Sequence, residues 1–245
     1  MTDGSEPLGR AFASPQARQR YARRLFATIA DRYDLITVLL SFGLDGRWKG
    51  RAVNLAAPSP GLRALDLASG TGDLAFAAAS RGASVVGLDV THRMLQLAAV
   101  KAAGQPPGAG PTSFVTGDMC ALPFPPAHFD IVTTGYGLRN VPDLTLALAE
   151  IRRVLRPGGT LVSLDFNRPE NVIVRGVYLA YLWTVGGALG WLLHRDPDTY
   201  RYIPASIRRY PGAARVAALM RTEGFSQARW IPVLGGLMAI HVARK

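Results

Sequence analysis

At 245 residues, 49% of them apolar, the chain is long enough for one domain, or one domain with a cap, around a substantial core. Its single cysteine, Cys120, excludes an intramolecular disulfide and a cysteine-based zinc cluster, and with a polar N-terminus lacking an apolar signal-like run it points to a reducing cytoplasm. The net charge of +11 sits in the flanks: residues 1–51 hold nine Arg/Lys against five Asp/Glu, residues 52–166 hold eight of each, and residues 167–245 hold eleven against four. Basic flanks suit a nucleic acid, an anionic membrane surface or an acidic partner, and equally a solvated arginine-rich exterior.

Residues 1–14 are poor in apolar side chains and are expected to be disordered. Residues 15–31 place Tyr21, Leu25, Phe26 and Ile29 on one side of a helix, with Arg18, Arg20, Arg23 and Arg24 elsewhere on it. A short helix from Asp31 to Leu44 and another from Trp48 to Leu55 precede a break at Pro58-Ser59-Pro60-Gly61. A doubly wound unit follows: strand 62–67, helix 72–81, strand 84–89, helix 91–103, a Gly/Pro-rich loop over 104–111, strand 112–116, strand 129–134, helix 144–155, a turn at Arg156-Pro157-Gly158-Gly159, and strand 160–166. Strands alternating with helices at this spacing predict a parallel sheet. Residues 171–193 approach the length of a bilayer span, but Arg175 and four glycines point instead to a helical cap, with Tyr178, Tyr181, Trp183 and Trp191 lining an apolar pocket or touching an interface. A basic helix over 195–209, a helix over 212–223 and strands near 225–231 and 236–243 would complete the sheet as a terminal hairpin.

The strand ending at Asp66 runs into Leu67-Ala68-Ser69-Gly70-Thr71-Gly72-Asp73, a tight strand-to-helix turn. Its glycines permit unusual backbone angles and a close ligand. Asp89 closes the next strand 23 residues after Asp66, about the ~20-residue spacing at which an acid meets a ribose. The absence of Gly-Lys-Ser/Thr excludes a P-loop; Ala75 in the third glycine position leaves NAD open. Asp73, just inside the helix, would repel phosphates, whereas S-adenosylmethionine has no phosphate and carries a sulfonium and an ammonium. Charge therefore favours S-adenosylmethionine.

Asp118 follows the third strand, where it either accepts from an adenine amino group or serves as a turn aspartate. Gly135 to Asn140 end the fourth strand at the carboxyl edge, the ligand side of an open parallel sheet. An arginine in the Gly-Leu-Arg-Asn loop is an unusual core residue, which favours a functional Arg139. The strand lacks the Asn/Asp-Pro-Pro-Tyr/Phe ending suited to planar amines. The four histidines lack metal spacing and read as surface or cap residues, so no metal is expected; no Gly-x-Ser-x-Gly elbow is present.

These residues resemble the menaquinone/ubiquinone-biosynthesis C-methyltransferases. The similarity runs through Phe26-Ala-Thr-Ile-Ala-Asp-Arg-Tyr-Asp34, Leu39-Leu-Ser-Phe-Gly43, Trp48-Lys49, Leu65 to Asp73, Gly137-Leu-Arg-Asn-Val-Pro-Asp143, Arg153 to Gly159, Tyr202-Ile-Pro-Ala-Ser-Ile207, Gly224-Phe225, Gly235-Gly236 and Ile240-His241. The resemblance implies a class I S-adenosylmethionine-dependent methyltransferase: an α/β, Rossmann-like fold with a seven-stranded, mostly parallel sheet, N-terminal helices, and a helical cap before the C-terminal hairpin. The expected divisions are an N-terminal helical cap over 15–57, a cofactor core over 58–166, an apolar and basic cap over 167–210, and a closing segment over 211–245. Asp66, Ala68, Gly70, Thr71, Gly72, Asp89, Val90, Asp118, Met119 and Gly135 are expected to hold the cofactor. Ser69, Gly135 and Thr37 depart from the family's usual glycine, serine-like and asparagine residues, and Gly135 removes a side chain near the transferred methyl.

The implied reaction is methylation of a ring carbon of a prenylated hydroquinone. Arg139 and Asn140 are expected to stabilise and position the ionising hydroxyl, Tyr136 to wall the ring, and Tyr178 and Tyr181 to contact the substrate. The polyprenyl tail implies peripheral contact with an anionic membrane at the cytoplasmic face. No nucleic-acid partner is expected, and a homo-oligomer is left open. A small-molecule O- or C-methyltransferase of another kind and a basic RNA-binding protein with a non-catalytic cofactor fold are the alternatives.

Overall fold

The computed structural model describes residues 8–41 and 43–245; residues 1–7 and Phe42 lie outside it. Three helices lead the fold: α1 (Pro15–Ile29), α2 (Tyr33–Leu40) and α3 (Asp45–Ala56). Ser14 starts α1 by accepting a hydrogen bond from the Ala17 amide, with Pro15 in the first turn, where its missing N–H costs nothing. The expected single helix over 15–31 stops at Ile29 and tightens into a 3-10 turn, Ala30–Arg32. The expectation of disorder before residue 15 is corrected for residues 8–14: Arg10–Phe12 form a 3-10 turn, and Leu8 and Ala11 are buried with Tyr202.

The core alternates as the sequence predicts: β1 (Arg63–Leu67), α4 (Asp73–Ala79), β2 (Ser84–Asp89), α5 (His92–Ala102), β3 (Thr112–Thr116), β4 (Phe129–Gly135), α6 (Leu144–Val154) and β5 (Leu155–Phe166). After a cap of α7 (Val172–His194) and α8 (Asp198–Arg209) come α9 (Ala213–Thr222), β6 (Ser226–Val233) and β7 (Met238–Arg244). The seven strands run in the order β3-β2-β1-β4-β5-β7-β6. Pairings up to β5 are parallel, and β7 lies antiparallel to both β5 and β6. Residue alternation gives each face its own core: Leu65, Leu67 and Leu161 pack under α6 and α9, while Ala64, Val162 and Ile240 pack under α3 and α4. Arg156 to Gly159, expected as a turn, belongs to β5: Gly158 donates to the Lys245 carbonyl and Lys245 to that of Gly159.

The cap is two-sided. Asn171 caps α7 by accepting from the Ile173 and Val174 amides. Gly186, Gly187 and Gly190 lie against α8, where a side chain on any of them would strike Tyr200, Arg201 or the Asp196–Pro197 backbone. Val172, Ile173, Val177, Trp191 and Leu192 stay exposed on the other side. Trp183 and Trp191, expected at a pocket or an interface, line neither cavity described below; Trp183 stacks with the Arg201 guanidinium at 5.1 Å. His241 is not a surface or cap residue: it lies buried in β7, its Nε2 donating to the Ala213 carbonyl, and burial lowers its pKa to about 4.

Candidate active site

Two cavities open at the carboxyl ends of the strands. The first, about 720 Å³, is lined by Ala68, Gly70, Asp89, Val90, Asp118, Met119 and Gly135 from the sheet edge and covered by Gln19, Phe26 and Tyr33. It divides the expected cofactor residues. Gly72 lines no part of it: φ of +93° makes it the turn that launches α4, and a side chain there would meet Phe76. Asp66 and Thr71 instead line a side chamber of about 310 Å³ with Lys49, Ser69 and Asp73, joined to the first cavity through Tyr33, Ala68, Gly70, Gly135 and Tyr136.

Asp89 accepts from the Gly70 amide at 2.9 Å and from the Thr91 amide at 2.8 Å. Each carboxylate oxygen keeps a further lone pair, so the residue still has acceptors for a pair of ribose hydroxyls. Asp118 accepts from Gln19 Nε2 at 2.6 Å and from the Cys120 amide at 2.8 Å, so an adenine amino group there would share it with α1. Thr71 donates its hydroxyl to Asp34 at 2.7 Å and thereby ties the turn to α2.

Asp66 is fully buried. One oxygen accepts from Thr133 at 2.8 Å, and the other has no hydrogen-bond partner among the described residues. Burial pushes its pKa up to about 7, against the hydrogen bond from Thr133. A buried acceptor lacking a donor, in a chamber off the nucleoside-sized cavity, fits the ammonium of a methionine arm. Asp73 is not a bare acid at the helix start; it pairs with Lys49 at 2.8 Å and with Lys101 at 3.6 Å. Both lysine charges are thus matched by acids, so neither is free for a pyrophosphate.

The second cavity, about 980 Å³, is bounded by Ile36 and Leu40 of α2, Tyr178, Tyr181 and Leu182 of α7, Phe166, Tyr136 and Arg139. Phe26, Tyr33 and Tyr136 border both large cavities, so ligands in the two would meet at these three rings. Tyr136 has φ of +60°, a strained angle for a non-glycine. Three hydrogen bonds hold it there: its amide donates to Leu164, and its carbonyl accepts from Arg139 Nη1 and Asn140 Nδ2.

Arg139 is 5% exposed. Nε donates to Ser206, and Nη1 donates to Asp165 at 3.0 Å and to the Tyr136 carbonyl at 2.8 Å. The buried Asp165 balances its charge. Of the five guanidinium hydrogens, the two on Nη2 have no hydrogen-bond partner among the described residues. Asn140 departs from expectation. It borders the first cavity only, and its amide is engaged at both ends by Tyr136 and Tyr202, so it holds the turn.

The sequence pattern of the ubiE/COQ5 methyltransferase family matches residues 15–245. The chain belongs to that family. A demethylmenaquinone methyltransferase from Thermus thermophilus is 44% identical over 220 residues, covering 89% of this chain and 98% of the relative. A ubiquinone/menaquinone biosynthesis C-methyltransferase UbiE from Shewanella frigidimarina is 37% identical over 221 residues, covering 89% and 87%. The fold is shared with an S-adenosylmethionine-dependent methyltransferase of Aquifex aeolicus, at 15% identity and a TM-score of 0.57 over 80% of this chain and 88% of that one. The protein is an S-adenosylmethionine-dependent methyltransferase.

The walls of the cavities also include residues to which sequence reasoning gave no role. Gln19, Phe26 and Tyr33 cover the first cavity from helices remote in sequence, and Lys49 reaches the side chamber from α3. Asp45 accepts from the Tyr136 hydroxyl at 2.6 Å. Phe26, Tyr33 and Lys49 stood within matched motifs; nothing in the sequence paired Asp45 with Tyr136 or Asp165 with Arg139. The departure at Gly135 has a steric reason: a Cβ there would lie 3.0 Å from Leu74 Cδ1.

Proposed function

We propose that this methyltransferase places a methyl group on a ring carbon of a prenylated hydroquinone, at the cytoplasmic face of the membrane. The observation that carries it is the large apolar second cavity, with Arg139 in its wall, meeting the first cavity at Phe26, Tyr33 and Tyr136. S-adenosylmethionine in the first cavity supplies an electrophilic methyl. Asp89 would hold its ribose, Asp118 its adenine edge, and Asp66 its ammonium; Ala68, Gly70, Val90, Met119 and Gly135 would shape its bed.

An aromatic carbon becomes a competent nucleophile once the neighbouring hydroxyl gives up its proton to water, and the methylated carbon then loses its own proton to water as the ring regains its aromaticity. The free Nη2 donors of Arg139 are suited to stabilise the resulting oxyanion, and the guanidinium keeps its proton throughout. Asp165 fixes the guanidinium while Asn140 and Arg139 together hold Tyr136 in its strained turn. Phe166, 5.3 Å from the Tyr136 ring, and Tyr178 and Tyr181 supply aromatic walls. Holding ring and methyl in line is worth about 7–11 kcal/mol when the geometry is good.

The same helices that line the cavity face outward with apolar residues. Leu35, Val38 and Leu39 of α2 and Val172, Ile173, Val174 and Val177 of α7 are exposed, and Arg32, Arg47 and Arg195 lie on exposed positions of the same caps. α7 is long and apolar enough to cross a membrane by length and composition, but it lies along α8 with Gly186, Gly187 and Gly190 inward. An interfacial face beside the cavity mouth suits a substrate whose tail resides in lipid. The test is to incubate the protein with methyl-labelled donor and reduced naphthoquinol and benzoquinol head groups in anionic vesicles. Label on a ring carbon is the expected result; label on oxygen, or no transfer to either ring, would contradict the proposal.

A further inference from the structure

Tyr136 forms part of all three chambers, and its hydroxyl lies at the end of a buried polar chain that the methyl-transfer account does not use. The hydroxyl donates to Asp45 Oδ1 at 2.6 Å. Lys49 contacts the other oxygen of Asp45 and reaches Asp73 at 2.8 Å. Asp45 is 6% exposed and Lys49 8%, so water offers this chain little competition. Burial, reinforced by Asp45, raises the Tyr136 pKa well above its ordinary value, so the phenol keeps its proton. For Lys49, burial opposes the charge but Tyr33, Asp73 and Asp45 overcome it and raise its pKa.

A tyrosine hydroxyl has one proton to give. Here Asp45 takes it, and only lone pairs remain on the oxygen for a ligand. A hydroquinone hydroxyl can donate to those lone pairs; a quinone carbonyl can only set its own lone pairs against them. Arg139 makes no such distinction, because its Nη2 hydrogens serve a hydroxyl, an oxyanion or a carbonyl alike.

We propose that Asp45 is a positioning residue that fixes the direction of the Tyr136 proton and thereby makes the acceptor cavity select the reduced ring over the oxidised one. The proposal rests on the hydroquinone reading of that cavity. Its physical logic is that a site built around an acceptor leaves that acceptor buried and unpaired when the wrong redox form enters. The choice is useful because only the reduced ring can yield the oxyanion that the reaction needs.

The test measures binding, not turnover. Wild-type protein, Tyr136→Phe and Asp45→Asn are each titrated with a singly prenylated 1,4-naphthoquinone, oxidised or chemically reduced, without oxygen and with S-adenosylhomocysteine present. The wild type is expected to bind the reduced form about tenfold more tightly, the worth of one hydrogen bond. Tyr136→Phe is expected to bring the two forms to within about twofold of each other, weakening the reduced form and relieving the opposed lone pairs that penalise the oxidised one. In Asp45→Asn the amide can turn its N–H₂ toward the tyrosine oxygen, releasing the tyrosine proton to the cavity, so the oxidised form should bind more tightly than in wild type. A wild type without preference, or a ratio unchanged in Tyr136→Phe, would overturn the proposal; that variant decides alone if Asp45→Asn does not fold. Methyl transfer by the wild type, run in parallel, separates the two readings: transfer with an unmoved ratio removes only this inference, whereas no transfer removes the hydroquinone reading beneath it.

Discussion

Arg139 and Asp165 form a buried ion pair that holds the local fold and, on the proposed mechanism, carries the chemistry. Removing Arg139 alone would leave Asp165 buried and unmatched at a cost of about 3–5 kcal/mol, so Arg139→Ala would confuse unfolding with lost catalysis. The double variant Arg139→Gln with Asp165→Asn removes both charges together. It should fold, keep donor affinity within about twofold in calorimetry, and lower turnover about 10²–10³-fold. Loss of affinity in proportion to turnover would contradict the role given to Arg139. Asp66 supplies a pH dependence. Its pKa near 7 lies above that of a free carboxyl, so the buried group is mostly protonated at pH 6 and ionises as the pH rises through 7. An ammonium prefers the ionised form, so donor affinity should climb between pH 6 and 7.5, and Asp66→Asn should flatten that climb. A wild-type affinity that is level over this range would remove Asp66 from the ammonium site. Residues such as Asp66 and Asp89 were legible because a strand end and a glycine turn fix where they stand. Asp45 and Asp165 were not, because their meaning comes from partners 91 and 26 residues away.

Most of the elements were legible for the same reason: β1 to β5 and the helices between them follow period-2 and period-3.6 patterns bounded by glycine and proline. The misses lie where tertiary contact overrides local preference. Arg156 to Gly159 carry turn residues, yet pairing with the C-terminal Lys245 and β7 draws them into β5. α7 is apolar all round, so its pattern could not reveal that the glycine side faces α8. A methyl added at Gly190 would lie 2.5 Å from the Asp196 carbonyl and 3.1 Å from Pro197. Gly190→Ala should therefore force the α7–α8 corner apart and cost about 1–3 kcal/mol, read as a lower melting temperature; an unchanged one would mean that the corner is loose. α1 covers the first cavity, the proposed donor site, and Gln19 ties it to Asp118. Gln19→Ala should speed donor release severalfold in stopped-flow traces, with the stacked core of Phe12, Tyr21 and Tyr202 left in place. Release at the wild-type rate would mean that α1 does not gate the cavity.

For the whole molecule, the proposed reading divides the work between a neutral core that would carry the donor and basic, apolar caps that would carry the acceptor and its surroundings. Charge counted along the sequence showed that division, but not that α2 and α7 would place their exposed apolar faces on the helices that wall one cavity. Introducing Ile173→Asp and Val177→Asp should abolish sedimentation with anionic vesicles while sparing transfer to a short-tailed quinol, since both side chains point away from the cavity lining. Loss of transfer to the short substrate would mean that the face shapes the site itself. The claim on which the rest stands is that donor and quinol occupy neighbouring chambers and meet at Phe26, Tyr33 and Tyr136. A crystal structure with S-adenosylhomocysteine and a short-tailed quinol tests it most directly. The ribose should lie on Asp89, with the quinol ring between Tyr136 and Arg139 and its tail leaving between α2 and α7; a ring bound anywhere outside that second chamber would contradict the account.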